Sequence, residues 1–137
     1  AAADPAWTGV ARHESLESLL PAVDALSLHV PLTDGTRGLI DAAALPRLRP
    51  DAVVINTARG GVVDEAALAA AIKAGKLGGA ALDVFEDEPL TKEAAAIFKG
   101  VDNLLLTPHI AGVTQEANVR VSALTAQQVR KALEGKG

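Results

Sequence analysis

Between residues 53 and 109 the chain sets an arginine, several carboxylates and a histidine each just beyond an apolar run. Arg59 follows Val53-Val54-Ile55 and the polar pair Asn56-Thr57. Asp83 follows Ala80-Ala81-Leu82, and Glu86, Asp87 and Glu88 come directly after. His109 follows Leu104-Leu105-Leu106 and Thr107-Pro108. A guanidinium offers a planar, bidentate grip on a carboxylate. An imidazole takes or gives a proton near neutral pH, and a carboxylate beside it favours the charged ring and fixes its orientation. Together these are the parts for acid–base chemistry on a small anion.

Taken singly, each residue has a plainer reading. Arg59 is then a solvated loop residue, Asp64 a helix cap, His29 a structural histidine within a strand, and Glu86 to Glu88 a polar loop before Pro89. Asp83 is harder to set aside, because a carboxylate ending an apolar strand must be hydrogen-bonded or turned to a ligand. His13, His29 and His109 show no metal-ligand spacing, and the chain has no cysteine, so no metal centre is expected.

The elements that would carry these residues alternate. Strands are expected at Val10 to Arg12, Ala25 to Val30, Ala52 to Ile55, Ala80 to Val84 and Leu104 to Leu106. Ser15 can cap a short helix with Leu16, Leu19 and Leu20 on one face, ended by Pro21. Thr33-Asp34-Gly35 reads as a turn, and Asp41 can cap a brief helix carrying Leu45 and Leu48. Asp64 caps a helix through Ala74, stopped at Gly75. Glu93 to Lys99 reads as helical. Thr114 caps a last long helix over 114–134, with Val121, Leu124, Val129 and Ala132 on one side. Uniformly apolar strands alternating with helices predict a parallel sheet covered on both faces. In such a sheet the C-terminal strand ends share one edge, where ligands bind. Glycines just after Arg59 (Gly60, Gly61) and after His109 (Gly112) let the backbone turn sharply or approach a ligand there.

The bulk composition excludes several classes. The chain has 137 residues, 49% hydrophobic, with a formal charge of −4 and scattered basic residues, which argues against nucleic acid. No apolar stretch approaches the roughly 18 residues of a membrane span, and no signal peptide is read, so a cytoplasmic protein is expected. There is no methionine, and Ala1-Ala2-Ala3-Asp4-Pro5 starts no element. The sequence therefore reads as a piece of a longer protein.

Four stretches, LHVPLTDGTRGLI (28–40), VVINTARGGVVDEAAL (53–68), GGAALDVFEDEP (78–89) and LLLTPHIAGVTQEA (104–117), give the chain a family resemblance. It resembles the D-isomer-specific 2-hydroxyacid dehydrogenases, such as phosphoglycerate dehydrogenase and hydroxypyruvate reductase. The run HIAGVTQEANVRVS is similar to sulfolactate dehydrogenases within that family. The resemblance implies a Rossmann-like α/β fold, incomplete here because the first strand and glycine-rich loop are absent. It implies that residues 1–113 are the C-terminal part of an NAD(P)-binding domain, and that 114–137 lead back to a missing substrate domain. By position, Arg59 matches the arginine that binds the substrate carboxylate and carbonyl, His109 the catalytic histidine, and Glu88 the glutamate that supports it. Asp83 matches the aspartate that holds the nicotinamide carboxamide. Val30, Pro31 and the Thr57-Ala58 backbone match cofactor-lining positions, which together with Arg59, His109 and Gly112 make up the expected cofactor site. Asp4 resembles the end of the ribose-binding strand, but the gap to His29-Val30-Pro31 is shorter than the family's. The implied activity is hydride transfer between NAD, with NADP as an alternative, and a small 2-hydroxy or 2-keto acid, in a homodimeric parent. Because no side chain accepts hydride, a cofactor is required. An NAD(H)-sensing binding module, related to the family's corepressors, is the competing expectation.

Overall fold

The computed structural model describes residues 9–135; Asp4 lies outside them. Four strands, β1 (Ala25–Leu28), β2 (Val53–Asn56), β3 (Gly79–Leu82) and β4 (Leu104–Leu106), form one parallel sheet in sequential order. The register pairs Leu28 with Asn56, Asn56 with Leu82, and Leu82 with Leu106. The last residues of all four strands therefore stand in one row. His29, Thr57, Asp83 and Thr107, the residues that follow, leave the sheet along a single edge.

The helices are α1 (Leu16–Leu19), α2 (Glu65–Lys73) and α3 (Gln115–Leu133), with 3-10 turns at Leu20–Ala22, Leu45–Arg47 and Ala94–Phe98. Local signals place each of them. Ser15 Oγ accepts the Ser18 N–H, Asp64 Oδ1 the Ala67 N–H, and Thr114 Oγ1 the Ala117 N–H, each satisfying an amide that the helix cannot. Gly75 turns the chain at φ 65° just after α2.

Several elements differ from expectation, β2 among them, which runs one residue later than Ala52 to Ile55. Val10 to Arg12 is not a strand, and Val10 is exposed. β1 stops at Leu28, short of Val30, because its neighbour β2 ends at Asn56 and Pro31 has no N–H to donate. β3 ends at Leu82, before Val84, since the Asp83 N–H makes the last bond to β2, at Asn56 O. The segment expected as a helix from Glu93 is a 3-10 turn.

One buried cluster unites alternate strand residues (Leu26, Leu28, Val54, Ala80, Leu82) with Leu68, Ala69 and Ile72 of α2 and with Leu20, Leu45 and Phe98. Strands paired in sequential order, with right-handed crossovers, put all their connections on the same side. The cover expected on both faces is thus present on one face among the described residues. Ser27, Val53 and Leu105 on the other face are exposed. α3 is likewise bare, since every side chain in it except Ala117 is exposed. Among the described residues no helix is long and apolar enough to cross a membrane.

Packing this uneven separates the cost of two leucine truncations. Leu82→Ala should cost about 2–5 kcal/mol in denaturant unfolding, because Leu82 is in the middle of the cluster. Leu124→Ala should stay within about 0.5 kcal/mol, because Leu124 on α3 touches no core. Equal costs would mean that something covers α3 in solution.

Candidate active site

Asn56, the last residue of β2, is buried and uses both ends of its amide on the turn that follows. Its Oδ1 accepts the Ala58 N–H at 3.1 Å, and its Nδ2 donates to Arg59 O at 2.9 Å. The turn is thereby closed and aims Arg59 outward. The guanidinium donates to Ala58 O at 2.6 Å and pairs with no carboxylate among the described residues. Directly beneath, a Cβ on Gly60 would lie 1.7 Å from Phe85 O, so only glycine lets the turns after β2 and β3 touch. Around Arg59, the side chains of His29, Val30, Pro31, Thr57 and Ala58 line an open hollow of about 360 Å³. Ser27 and the His29 ring share a hydrogen bond of 2.8 Å there.

Asp83 opens the turn after β3 and is 2% exposed. Its Oδ1 accepts the Thr107 hydroxyl at 2.6 Å and the Ile110 N–H at 2.8 Å, while Oδ2 accepts the Ala111 N–H at 2.8 Å. Burial pushes this carboxyl up, but the three hydrogen bonds and the nearby His109 outweigh it and hold it below the ordinary value. His109 stands inside the segment so gripped, with φ 55°, a left-handed backbone that few residues with a Cβ adopt. The bonds on either side of it hold that conformation in place.

Glu88 completes the group. Its Oε1 accepts the Phe85 N–H at 2.9 Å, and its Oε2 lies 2.8 Å from His109 Nδ1. The bond to His109, then that to Phe85, lowers its pKa despite an opposing cost of burial. With Nδ1 facing a carboxylate, the proton exchanged with a ligand belongs to Nε2. Glu88 and His109, with Phe85, Pro89, Leu90, Leu106, Thr107 and Pro108, line a second, largely apolar hollow of about 560 Å³.

The structure thus brings together two groups of the expected residues: Glu88 with His109 on the Asp83-held loop, and Arg59 with Val30, Pro31, Thr57 and Ala58. Gly112 adjoins neither hollow and has open space around it. Asp83 differs most from its expected role. With three of about four acceptor positions committed to the loop and almost no exposed surface, it can offer a carboxamide at most one. Two residues that work here carried no distinct sequence signal. Asn56 stood in the sequence only as a polar residue just beyond the expected strand. Glu65, in the first turn of α2, accepts the Glu86 N–H at 2.6 Å.

The model of the D-isomer specific 2-hydroxyacid dehydrogenase NAD binding domain matches residues 3–111. The chain is 57% identical, over 130 residues, to a (S)-sulfolactate dehydrogenase of Chromohalobacter salexigens, covering 95% of this chain and 41% of the relative. Its backbone is similar to that of a putative D-isomer specific 2-hydroxyacid dehydrogenase from Polaromonas, at TM-score 0.84 and 30% identity, covering 98% of this chain and 41% of the other. It is also similar to the D-lactate dehydrogenase of Aquifex aeolicus in complex with NAD and lactic acid, at TM-score 0.73 and 34% identity, covering 93% and 45%. The chain spans about two fifths of the length of these proteins.

Asp83→Asn tests the loop clamp. The amide puts an NH₂ either against the Ala111 N–H or against the Thr107 hydroxyl and Ile110 N–H, so about 1.5–3 kcal/mol of stability should be lost in urea unfolding at pH 7. A carboxyl held below its ordinary value stabilises the fold above that value, and the contribution disappears as pH falls through the folded value. Wild type should therefore lose stability more steeply than Asp83→Asn below about pH 4. Curves that stay parallel down to pH 2 would remove the clamp.

Proposed function

Because the chain belongs to the D-isomer specific 2-hydroxyacid dehydrogenases, in their NAD-binding domain, we propose that it is the catalytic half of an enzyme that moves a hydride between NAD(H) or NADP(H) and a small 2-hydroxy acid. The observation that carries the reading is the Glu88–His109 pair at 2.8 Å, on a loop fixed by Asp83. Catalysis then divides among the chain's own residues. His109 Nε2 takes the hydroxyl proton during oxidation and returns it to the keto oxygen during reduction. Glu88 holds the ring by Nδ1 and balances the charge that forms on it. Arg59, whose guanidinium pairs with no carboxylate among the described residues, holds the substrate carboxylate.

The residues present fit a nicotinamide cofactor. Val30 and Pro31 give the hollow beside Arg59 apolar walls, and it opens at the edge of a parallel sheet where nucleotides bind. NAD(H), when bound, supplies hydride transfer, and Val30, Pro31, Thr57 and Ala58 would line its place. Sulfolactate heads the substrates to try, given the 57% identity above. The family reading extends to a cytoplasmic homodimer for the whole protein, which should sediment at twice its chain mass.

The test uses the whole polypeptide with NADH or NADPH and a panel of 2-keto acids, followed at 340 nm. His109→Asn should lower kcat by about 10²–10⁴-fold in both directions and leave NADH affinity nearly intact. Arg59→Lys should cost about 1.5–3 kcal/mol in kcat/KM, since an ammonium cannot make the bidentate contact. NADH binding with no turnover of any acid would instead assign an NAD(H)-sensing module.

A further inference from the structure

The loop that carries Glu88 is held from a side the chemistry does not touch. Its first residue, Asp83, bonds through its own N–H to Asn56 O, and Phe85 N–H bonds to Glu88 itself. Between these and Glu88, the Glu86 N–H donates to Glu65 Oε1 at 2.6 Å, on a helix that lines neither hollow. Glu65 is half-buried at the start of α2, whose Leu68, Ala69 and Ile72 are embedded in the core, so the acceptor sits on a rigid support. On the inner side, the missing side chain of Gly60 lets the turn bearing Arg59 press on Phe85 O. The Phe85 ring meets Phe98 edge-on at 6.2 Å. The Gly60 turn packs on the carbonyl side of the peptide unit between Phe85 and Glu86, and the bond to Glu65 is the one hydrogen bond that unit makes among the described residues.

We propose that Glu65 is a positioning residue for the Glu88–His109 pair, which acts by fixing the Phe85–Glu86 peptide and hence the angle at which Glu88 meets the imidazole. What the bond needs is an acceptor oxygen at the reach of a glutamate, and no charge. Burial raises the pKa of Glu65, the Glu86 N–H pulls it down, and the carboxylates of Glu86, Asp87 and Asp64 raise it again, so the charge there is a cost. Arg37 approaches Glu86 Oε1 at 3.6 Å, but both side chains are mostly exposed, and that ion pair adds little hold. This role rests on the reading of Glu88 and His109 given above.

Two replacements separate reach from charge. Glu65→Gln keeps the oxygen in place and removes the charge. Glu65→Asp keeps the charge and withdraws the oxygen by one methylene. Both are tolerable in the first turn of a helix. The readouts are NMR of the protein labelled with ¹³C and ¹⁵N: the Glu86 amide proton shift, and the titration midpoint of the Glu88 carboxyl. In Glu65→Gln both should match wild type. In Glu65→Asp the Glu86 amide should move upfield, and the Glu88 midpoint should rise toward the ordinary glutamate value as its bond to His109 loosens. β2 and β3 amide shifts, unchanged in both variants, confirm an intact fold. A Glu88 midpoint that Glu65→Asp leaves in place, or that Glu65→Gln raises as much, overturns the proposal. Neither readout needs turnover, so an inactive enzyme would count against the proposed reaction and leave this result standing.

Discussion

The placing of His109 against Glu88 at the sheet edge depends on one buried carboxylate. Asp83 is the first residue beyond β3, and its two oxygens take the Thr107 hydroxyl and the amides of Ile110 and Ala111. A charge at 2% exposure is tolerable only with its lone pairs filled. Filling them ties the segment after β4 to the turn after β3. That fixes a histidine in a left-handed backbone that would otherwise relax, and brings its Nδ1 within 2.8 Å of Glu88. The two strands are neighbours, so the clamp spans a single step of the sheet.

The second constraint is contact between turns. β2 and β3 also pair directly, and their turns meet where Gly60 lies against Phe85 O. Asn56 closes the first turn and Glu65 anchors the second. Arg59 and the Glu88–His109 pair are therefore held by one set of backbone contacts, although they line separate hollows. The sheet supplies the common edge, and side-chain caps on the turns set the directions.

Much of this was readable from residue order. The caps Ser15, Asp64 and Thr114, the stop at Gly75, and four apolar strands followed by polar residues all act locally, and a local signal survives in sequence. The choice of Glu88 among three adjacent acids came from its match to a family pattern. In the structure only Glu88 reaches His109, because Glu86 is turned toward Arg37. What was not legible is long-range. Whether Asp83 is hydrogen-bonded by its own chain or turned to a ligand stayed open in the sequence, because the amides that fill its oxygens lie 27 and 28 residues away. Glu65 drew no expectation of its own, since nothing local shows that its oxygen meets an amide 21 residues on. The bare second face was hidden for a similar reason: apolar strands report that a face is suited to burial, not which segment covers it.

The closed turns also decide what kind of molecule the edge can welcome. Asp83, Glu88 and Asn56 are the strong acceptors there, and each already receives a proton donor from its own chain. Arg59 makes one bond, to Ala58 O, out of the five N–H groups a guanidinium carries. Beside Arg59 the edge therefore meets an arriving ligand with donors in surplus, while the acceptors of the closed turns are largely used and His109 Nε2 stays open. A ligand rich in protons to give, such as an amine or a polyol, finds few partners. One rich in lone pairs, such as a carboxylate, a keto oxygen or a sulfonate, finds several.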